Sequence, residues 1–321
     1  MNSTFDRRKL LLAGALTAVT SASAATAARS QGSDGSNVEL WPGGTPGAER
    51  VTVHEEVIER LPDGPMRDRF VQHVTRPLIT LFEPEATPNG ITLLIVPGGG
   101  YIRVVMDKEG YEAADWFTQR GFAAAVLRYR LPADGWTNGA DAPVHDAMRA
   151  VRLLRERRGS KAGRIGVIGF SAGGHLCARL LTEPQLAYDH RDGADGLSAR
   201  PDFGVLMYPV IATTGGHAHA GSAQQLQAAG VGTSDLERYS PHLNVSTTTP
   251  PTMLVHAADD TNVPVENSLM MYDALRKARV RSELHVFDSG GHGFGLRAVA
   301  GKDVAAWPTL VQNWALHNAE T

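Results

Sequence analysis

The stretch that decides the fold is Arg164-Ile165-Gly166-Val167-Ile168-Gly169-Phe170-Ser171-Ala172-Gly173-Gly174. Its first six residues, apolar after Arg164, read as a strand. Its last residues open a helix predicted over Ala172 to about Thr182. Between them stands G-x-S-x-G, in the strand-to-helix setting that motif requires. So sharp a turn tolerates only small residues beside the serine, and Gly169, Ala172 and Gly173 are small. The serine is pushed above the sheet edge, and the N–H of Ala172 faces any oxyanion formed there.

The same alternation extends in both directions. Ile91–Val96, Phe122–Leu127, Phe203–Tyr208, Thr252–His256 and Ser282–Asp288 read as further strands. Gly110–Gln119, a segment carrying Val144, Ala147, Met148, Val151 and Leu154 with arginines opposite, one carrying Val265, Leu269, Tyr272 and Leu275, and Val304–Leu316 read as helices. Strand–helix alternation predicts an α/β domain with a mostly parallel central sheet and helices on both faces. Sites in such sheets lie at the carboxyl ends of the strands.

The bulk properties agree. The chain has 321 residues, 42 % apolar and 20 % charged, with formal net charge −3. That composition is globular and argues against a nucleic-acid binder or an anionic-membrane binder. A single cysteine, Cys177, excludes internal disulfides. It lies on the predicted core helix and reads as a small buried hydrophobe. No His, Cys and Asp cluster has metal-ligand spacing, and no phosphate-loop pattern follows a strand, so neither metal nor nucleotide cofactor is expected.

The N-terminus has its own pattern. Asp6-Arg7-Arg8-Lys9 precedes a short apolar run, and Ala22-Ser23-Ala24 and Ala25-Thr26-Ala27 resemble cleavage sites. Residues 1–27 therefore read as a twin-arginine export signal, with a periplasmic or secreted product. Residues 28–37 read as a linker and 38–321 as one folded domain.

A serine hydroxyl needs a base, and the base needs a carboxylate to orient it. In this arrangement the chain order is Ser, acid, His. His292 follows the last predicted strand inside Gly290-Gly291-His292-Gly293-Phe294-Gly295 and is the candidate base. Asp259 and Asp260 follow the strand ending at His256. The stretch resembles H-x-x-x-D-x-x-V-P, which selects Asp260 and leaves Asp259 as a loop or capping carboxylate. Pro97-Gly98-Gly99-Gly100-Tyr101 follows the first buried strand, where a second oxyanion donor belongs, so Gly99 and Gly100 join Ala172 as candidate N–H donors. Tyr101, Trp136, Phe170 and Phe294 are candidate stacking surfaces for a sugar, with core packing as the alternative. His175 reads as a packing residue.

These motifs resemble the α/β-hydrolase superfamily. The Gly-rich loop, Leu127-Arg128-Tyr129-Arg130-Leu131-Pro132 and the Gly-Phe-Ser-Ala-Gly-Gly-His elbow are similar to hormone-sensitive-lipase-related carboxylesterases. The Pro-Gly-Gly-Gly-Tyr loop, Asp146 with Arg149-Ala150, His219-Ala220-Gly221-Ser222, Pro250-Pro251 and the His292 loop resemble a branch of acetyl xylan and acetyl/feruloyl esterases. The resemblance runs from roughly residue 75 to the end. It implies Ser171 as nucleophile, Asp260 as acid, His292 as base, no cofactor, and a small or oligosaccharide ester as substrate. Feruloyl or general ester hydrolysis, amide hydrolysis and a non-catalytic carbohydrate binder are the competing readings. The chain departs from the branch between Thr213 and Gly232, where an expected Leu-Leu-Gly reads Leu226-Gln227-Ala228.

Overall fold

The computed structural model describes residues 35–159 and 163–319. The predicted export signal and all but the end of the predicted linker lie outside the described residues. The linker gives way to structure slightly earlier than expected, because Ser36 and Asn37 already pair in a strand.

The central sheet has eight strands: β1 (Ser36–Glu39), β4 (Leu78–Phe82), β5 (Ile91–Val96), β7 (Ala123–Arg128), β8 (Arg164–Phe170), β9 (Phe203–Met207), β10 (Thr252–Ala257) and β11 (Ser282–Phe287). Their spatial order is β1-β4-β7-β5-β8-β9-β10-β11. From β7 to β11 every pairing is parallel, while β4 runs antiparallel to both β1 and β7. β5 and β8 sit in the middle, buried along almost their whole length. That explains their largely apolar composition, since almost none of either face meets water. A second sheet of three strands joins β2 (Glu56–Glu59), β3 (Arg69–Gln72) and β6 (Val104–Val105), all antiparallel.

Among the described residues six helices complete the layers: α1 (Glu112–Thr118), α2 (Ala142–Arg158), α3 (Ala172–Thr182), α4 (Ala220–Ala228), α5 (Glu266–Lys277) and α6 (Trp307–Ala319). Among the described residues none is long and apolar enough to cross a membrane.

Three expectations need correction. The helix predicted from Gly110 begins earlier, as a π-helical turn over Asp107–Tyr111 that runs into α1. A Cβ at Gly110 would meet Val126 Cγ1 at 2.7 Å, so the extra residue in the turn accompanies a very close approach to β7. On α2 the arginines do not all face water. Arg149 is inside, bonding Leu40 O and, at 2.9 Å, Asp195. On α5 the apolar spacing misleads: Leu269 is exposed, while Asn267 and Ser268 are fully buried because they bond backbone and ring atoms of the site region.

Candidate functional site

β8 delivers Ser171 directly into the N-terminus of α3. The serine has φ +52° and ψ −117°, a strained conformation for a residue with a Cβ. It is held by its backbone: Ser171 N donates to Met207 O, and Ser171 O accepts from Val210 N. A Cβ at Gly173 would lie 2.2 Å from Val96 O, so only glycine lets the first turn of α3 pass the end of β5. Small residues around the serine are thus a packing requirement, as the sequence pattern implied.

Ser171 Oγ lies 2.8 Å from His292 Nε2, and His292 Nδ1 lies 2.7 Å from Asp260 Oδ2. The three residues, distant along the chain, form one continuous relay. Asp260 is fully buried at its side chain, whereas His292 retains partial exposure. Asp260 also accepts Asn262 N–H and Val263 N–H and stands 3.3 Å from His256 Nε2. Burial opposes its ionisation, but the hydrogen bonds from His256 and His292 outweigh burial and hold its pKa well below the usual carboxylate value. It therefore stays an acceptor. Its partner His292 carries the Nδ1 proton, leaving Nε2 to take the serine proton.

Asp259 and Asp260 make different contacts. Asp259 Oδ1 accepts Gly290 N–H at 2.8 Å and Gly291 N–H at 2.7 Å. It fastens the loop that carries the imidazole, and never touches the relay. His256, the last polar residue of β10, is fully buried between Ser268 Oγ and Val263 O.

The glycine loop after β5 passes beside the serine. Gly99 has φ +133°, and a Cβ there would lie 2.1 Å from Arg103 O, so the turn demands glycine. The N–H groups of Gly99, Gly100 and Ala172 take no part in the fold's hydrogen bonds among the described residues. Gly99 and Gly100 line the cleft with Ser171 and His292. Donors left free at the mouth of a strand-to-helix turn are what an oxyanion needs.

Two residues of the site escaped sequence reading. Glu109, in the π-helical turn, is buried and accepts Gly98 N–H at 2.8 Å and Tyr208 O–H at 3.0 Å. Tyr208, at φ +36°, in turn accepts Gly295 N–H at 3.3 Å and sets its ring edge-on to His292, 5.2 Å between centroids. One strut therefore ties the glycine loop to the histidine loop. The only signal was a Glu near the loop; nothing in its spacing said that a π turn would aim it inward.

The aromatic candidates are corrected. Tyr101, Phe170, Phe294 and Trp136 are all buried. Tyr101 Oη bonds His175 Nδ1 at 2.8 Å, Phe170 packs on Tyr208 and Trp307, and Phe294 packs on Tyr208. Trp136 lies against the Arg130 guanidinium. Rings without an exposed face cannot stack on a sugar. His175 is a packing residue as expected, and Cys177 is buried with its thiol pKa pushed up by burial. Among the described residues no group of His, Cys, Asp and Glu could hold a metal ion.

The cleft itself has a volume of about 480 Å³. His219, Gly221, Gln224 and Gln225 line it, so the segment from Thr213 to Gly232 borders Ser171.

The profile of the prolyl oligopeptidase family (Peptidase_S9) matches residues 112–318. The chain belongs to the prolyl oligopeptidase family. Its fold is that of the α/β-hydrolases, as the elbow and the strand order lead one to expect. It is 35 % identical over 222 residues to an acetylxylan esterase of Xylanibacter ruminicola, covering 67 % of this chain and 43 % of that protein. It is 35 % identical over 204 residues to endo-1,4-beta-xylanase B of Butyrivibrio fibrisolvens, covering 63 % of this chain and 32 % of that protein. The chain thus spans less than half the length of either relative. Among solved structures, an acetyl ester-xyloside bifunctional hydrolase from Caldicellulosiruptor lactoaceticus superposes with TM-score 0.68 at 33 % identity, covering 88 % of this chain and 95 % of that one.

Proposed function

We propose that this family member is a serine ester hydrolase that removes short acyl groups, chiefly acetyl, from xylose-containing sugars. The observation that carries the reading is the unbroken relay Ser171–His292–Asp260 opening into a cleft bordered by unspent amide hydrogens. The three relatives, whose names speak of acetylxylan, xylanase and acetyl ester-xyloside activity, supply the substrate class.

Ser171 Oγ attacks the ester carbonyl as His292 Nε2 takes its proton. The carbonyl oxygen becomes an oxyanion facing the N–H groups of Gly99, Gly100 and Ala172. His292 returns the proton to the departing alcohol oxygen, leaving an acyl-serine. Water then repeats the sequence and releases the acid. Asp260 stabilises the transient imidazolium without accepting its proton.

The family's name favours a second reading, hydrolysis of peptide bonds. The same relay serves both, because only the leaving group differs. Assay of parent and Ser171→Ala on an aryl acetate, an acetylated xylo-oligosaccharide and proline-containing peptides decides. Ester turnover lost with Ser171, and no peptide cleavage, is expected. Peptide cleavage exceeding ester cleavage would refute the esterase reading. The paired arginines before the apolar run support export, so the natural substrate on this account lies outside the cytoplasm.

A further inference from the structure

His219 caps α4 through its side chain. Its Nδ1 accepts Ser222 N–H at 3.1 Å and lies 2.9 Å from the Ser222 hydroxyl. A ring nitrogen that accepts a backbone N–H carries no proton, so the neutral imidazole holds its hydrogen on Nε2. That Nε2 has no partner among the described residues. The ring lines the same cleft as Ser171, His292 and Gly100, and its Cε1, bonded to Nε2, lies 3.9 Å from where a Cβ of Gly100 would stand. The cap therefore fixes the ring, its tautomer and the location of one unspent donor at the mouth of the cleft.

Charge keeps that donor in a single state. Burial, and then the positive charge that His292 acquires, hold the His219 pKa below the usual imidazole value, with Asp260 opposing. His219 stays neutral while His292 cycles.

We propose that His219 is a specificity residue whose Nε2–H donates to a hydroxyl oxygen next to the ester on the alcohol part of the substrate. An acetyl group has no acceptor other than its carbonyl oxygen, which the backbone donors face. The acceptor left for His219 is on the alcohol. The inference thus rests on the short-acyl reading above, and it adds that the enzyme selects esters of vicinal diols, the motif that sugar rings present. A cleft that reads this hydroxyl rejects the analogue lacking it, because the donor is then left unpaired.

The test uses two esters of nearly equal size, 2-hydroxyethyl acetate and propyl acetate, with the full chain and with His219→Asn. Asparagine is a good helix cap, so α4 keeps its start, but it is too short to replace Nε2. Parent enzyme should favour the hydroxy ester in kcat/KM. The variant should lose about tenfold of that preference ratio, the worth of one neutral hydrogen bond. Labelling of Ser171 by a fluorophosphonate in the variant verifies that the relay is assembled. A parent with no preference, or a variant that slows equally on both esters, would overturn the inference, the second by making His219 a general support of the site. If the preference is present and depends on His219 while acetylated xylo-oligosaccharides are not cleaved, the inference stands and the xylan reading fails.

Discussion

Replacing Glu109 by glutamine removes a charge but almost no bulk, so its effect isolates the strut between the glycine loop and the histidine loop. The native carboxylate accepts from two donors, Gly98 N–H and Tyr208 O–H. A glutamine has one oxygen and one NH₂ in their place. If its oxygen serves Gly98, its NH₂ faces Tyr208, whose oxygen already accepts from Gly295 N–H, and the phenol hydrogen is stranded. If it serves Tyr208, two N–H groups confront each other beside the serine. Either way one buried donor is orphaned, at a cost of about 1–3 kcal/mol. For a domain of this size that lowers Tm by about 2–5 °C. Catalysis should suffer more than folding, because Gly98 immediately precedes the candidate oxyanion donors. A displacement of the order of an ångström at such a site costs about 10²-fold, so kcat on an aryl acetate should fall about 10–100-fold with KM little changed. Tyr208→Phe should slow the enzyme by a similar factor, and the double variant should be no worse than the poorer single, since both break the same strut. The assay is steady-state kinetics with thermal unfolding of all three variants. A Glu109→Gln protein with lowered Tm but undiminished kcat would refute the reasoning and reduce Glu109 to a folding residue.

Asp260→Asn should cut kcat by about 10³–10⁴-fold, because an amide that donates to His292 puts the imidazole proton on the wrong nitrogen; the pH–rate profile and kcat together check this. Asp259→Ala should lower kcat far less and loosen the Gly290–Gly291 turn, seen as faster hydrogen exchange there while Ser171 labelling persists. His175 predicts an acid-labile fold: burial, and then the Arg179 charge, lower its pKa to about 3. Below about 6.5 the unfolded imidazole binds a proton that the folded one refuses, so stability is intact above that pH and falls as pH drops toward 3, by up to about 1.4 kcal/mol per unit. His175→Gln, which can still accept from Tyr101 and donate to Tyr239 O, should flatten the Tm-versus-pH curve between those limits; an unchanged slope would discard the assignment.

Much of the site was readable because its chemistry constrains residue types locally. A serine turn so tight that a Cβ at Gly173 would lie 2.2 Å from Val96 O leaves a signature of small residues, and Asp260 and His292 sit just past strand ends. The parallel strands were readable for the same reason, since β5 and β8 meet almost no water on either face. What failed to show was whatever depends on partners far along the chain. The antiparallel strands β1, at the sheet edge, and β4, next to it, are short, and β1 alternates only weakly, so pairing rather than pattern makes them strands. Leu269 reads as core by spacing yet faces water, while Asn267 is buried to bond Ile211 and Ala212 N–H. Glu109 and Tyr208 matter through a contact 99 residues apart. The aromatic rings suggested for sugar stacking went into the core, where burial of a large ring is worth more than its exposure to a ligand.

The central claim is that Ser171 carries the acyl group between the two half-reactions. The direct measurement is intact and peptide-level mass spectrometry of the enzyme quenched in acid during turnover of an aryl acetate. The account predicts one acetyl group on the peptide containing Ser171, absent from Ser171→Ala, which is also inactive. An acetyl found elsewhere, or a Ser171→Ala enzyme that turns over at the parent rate, would contradict it.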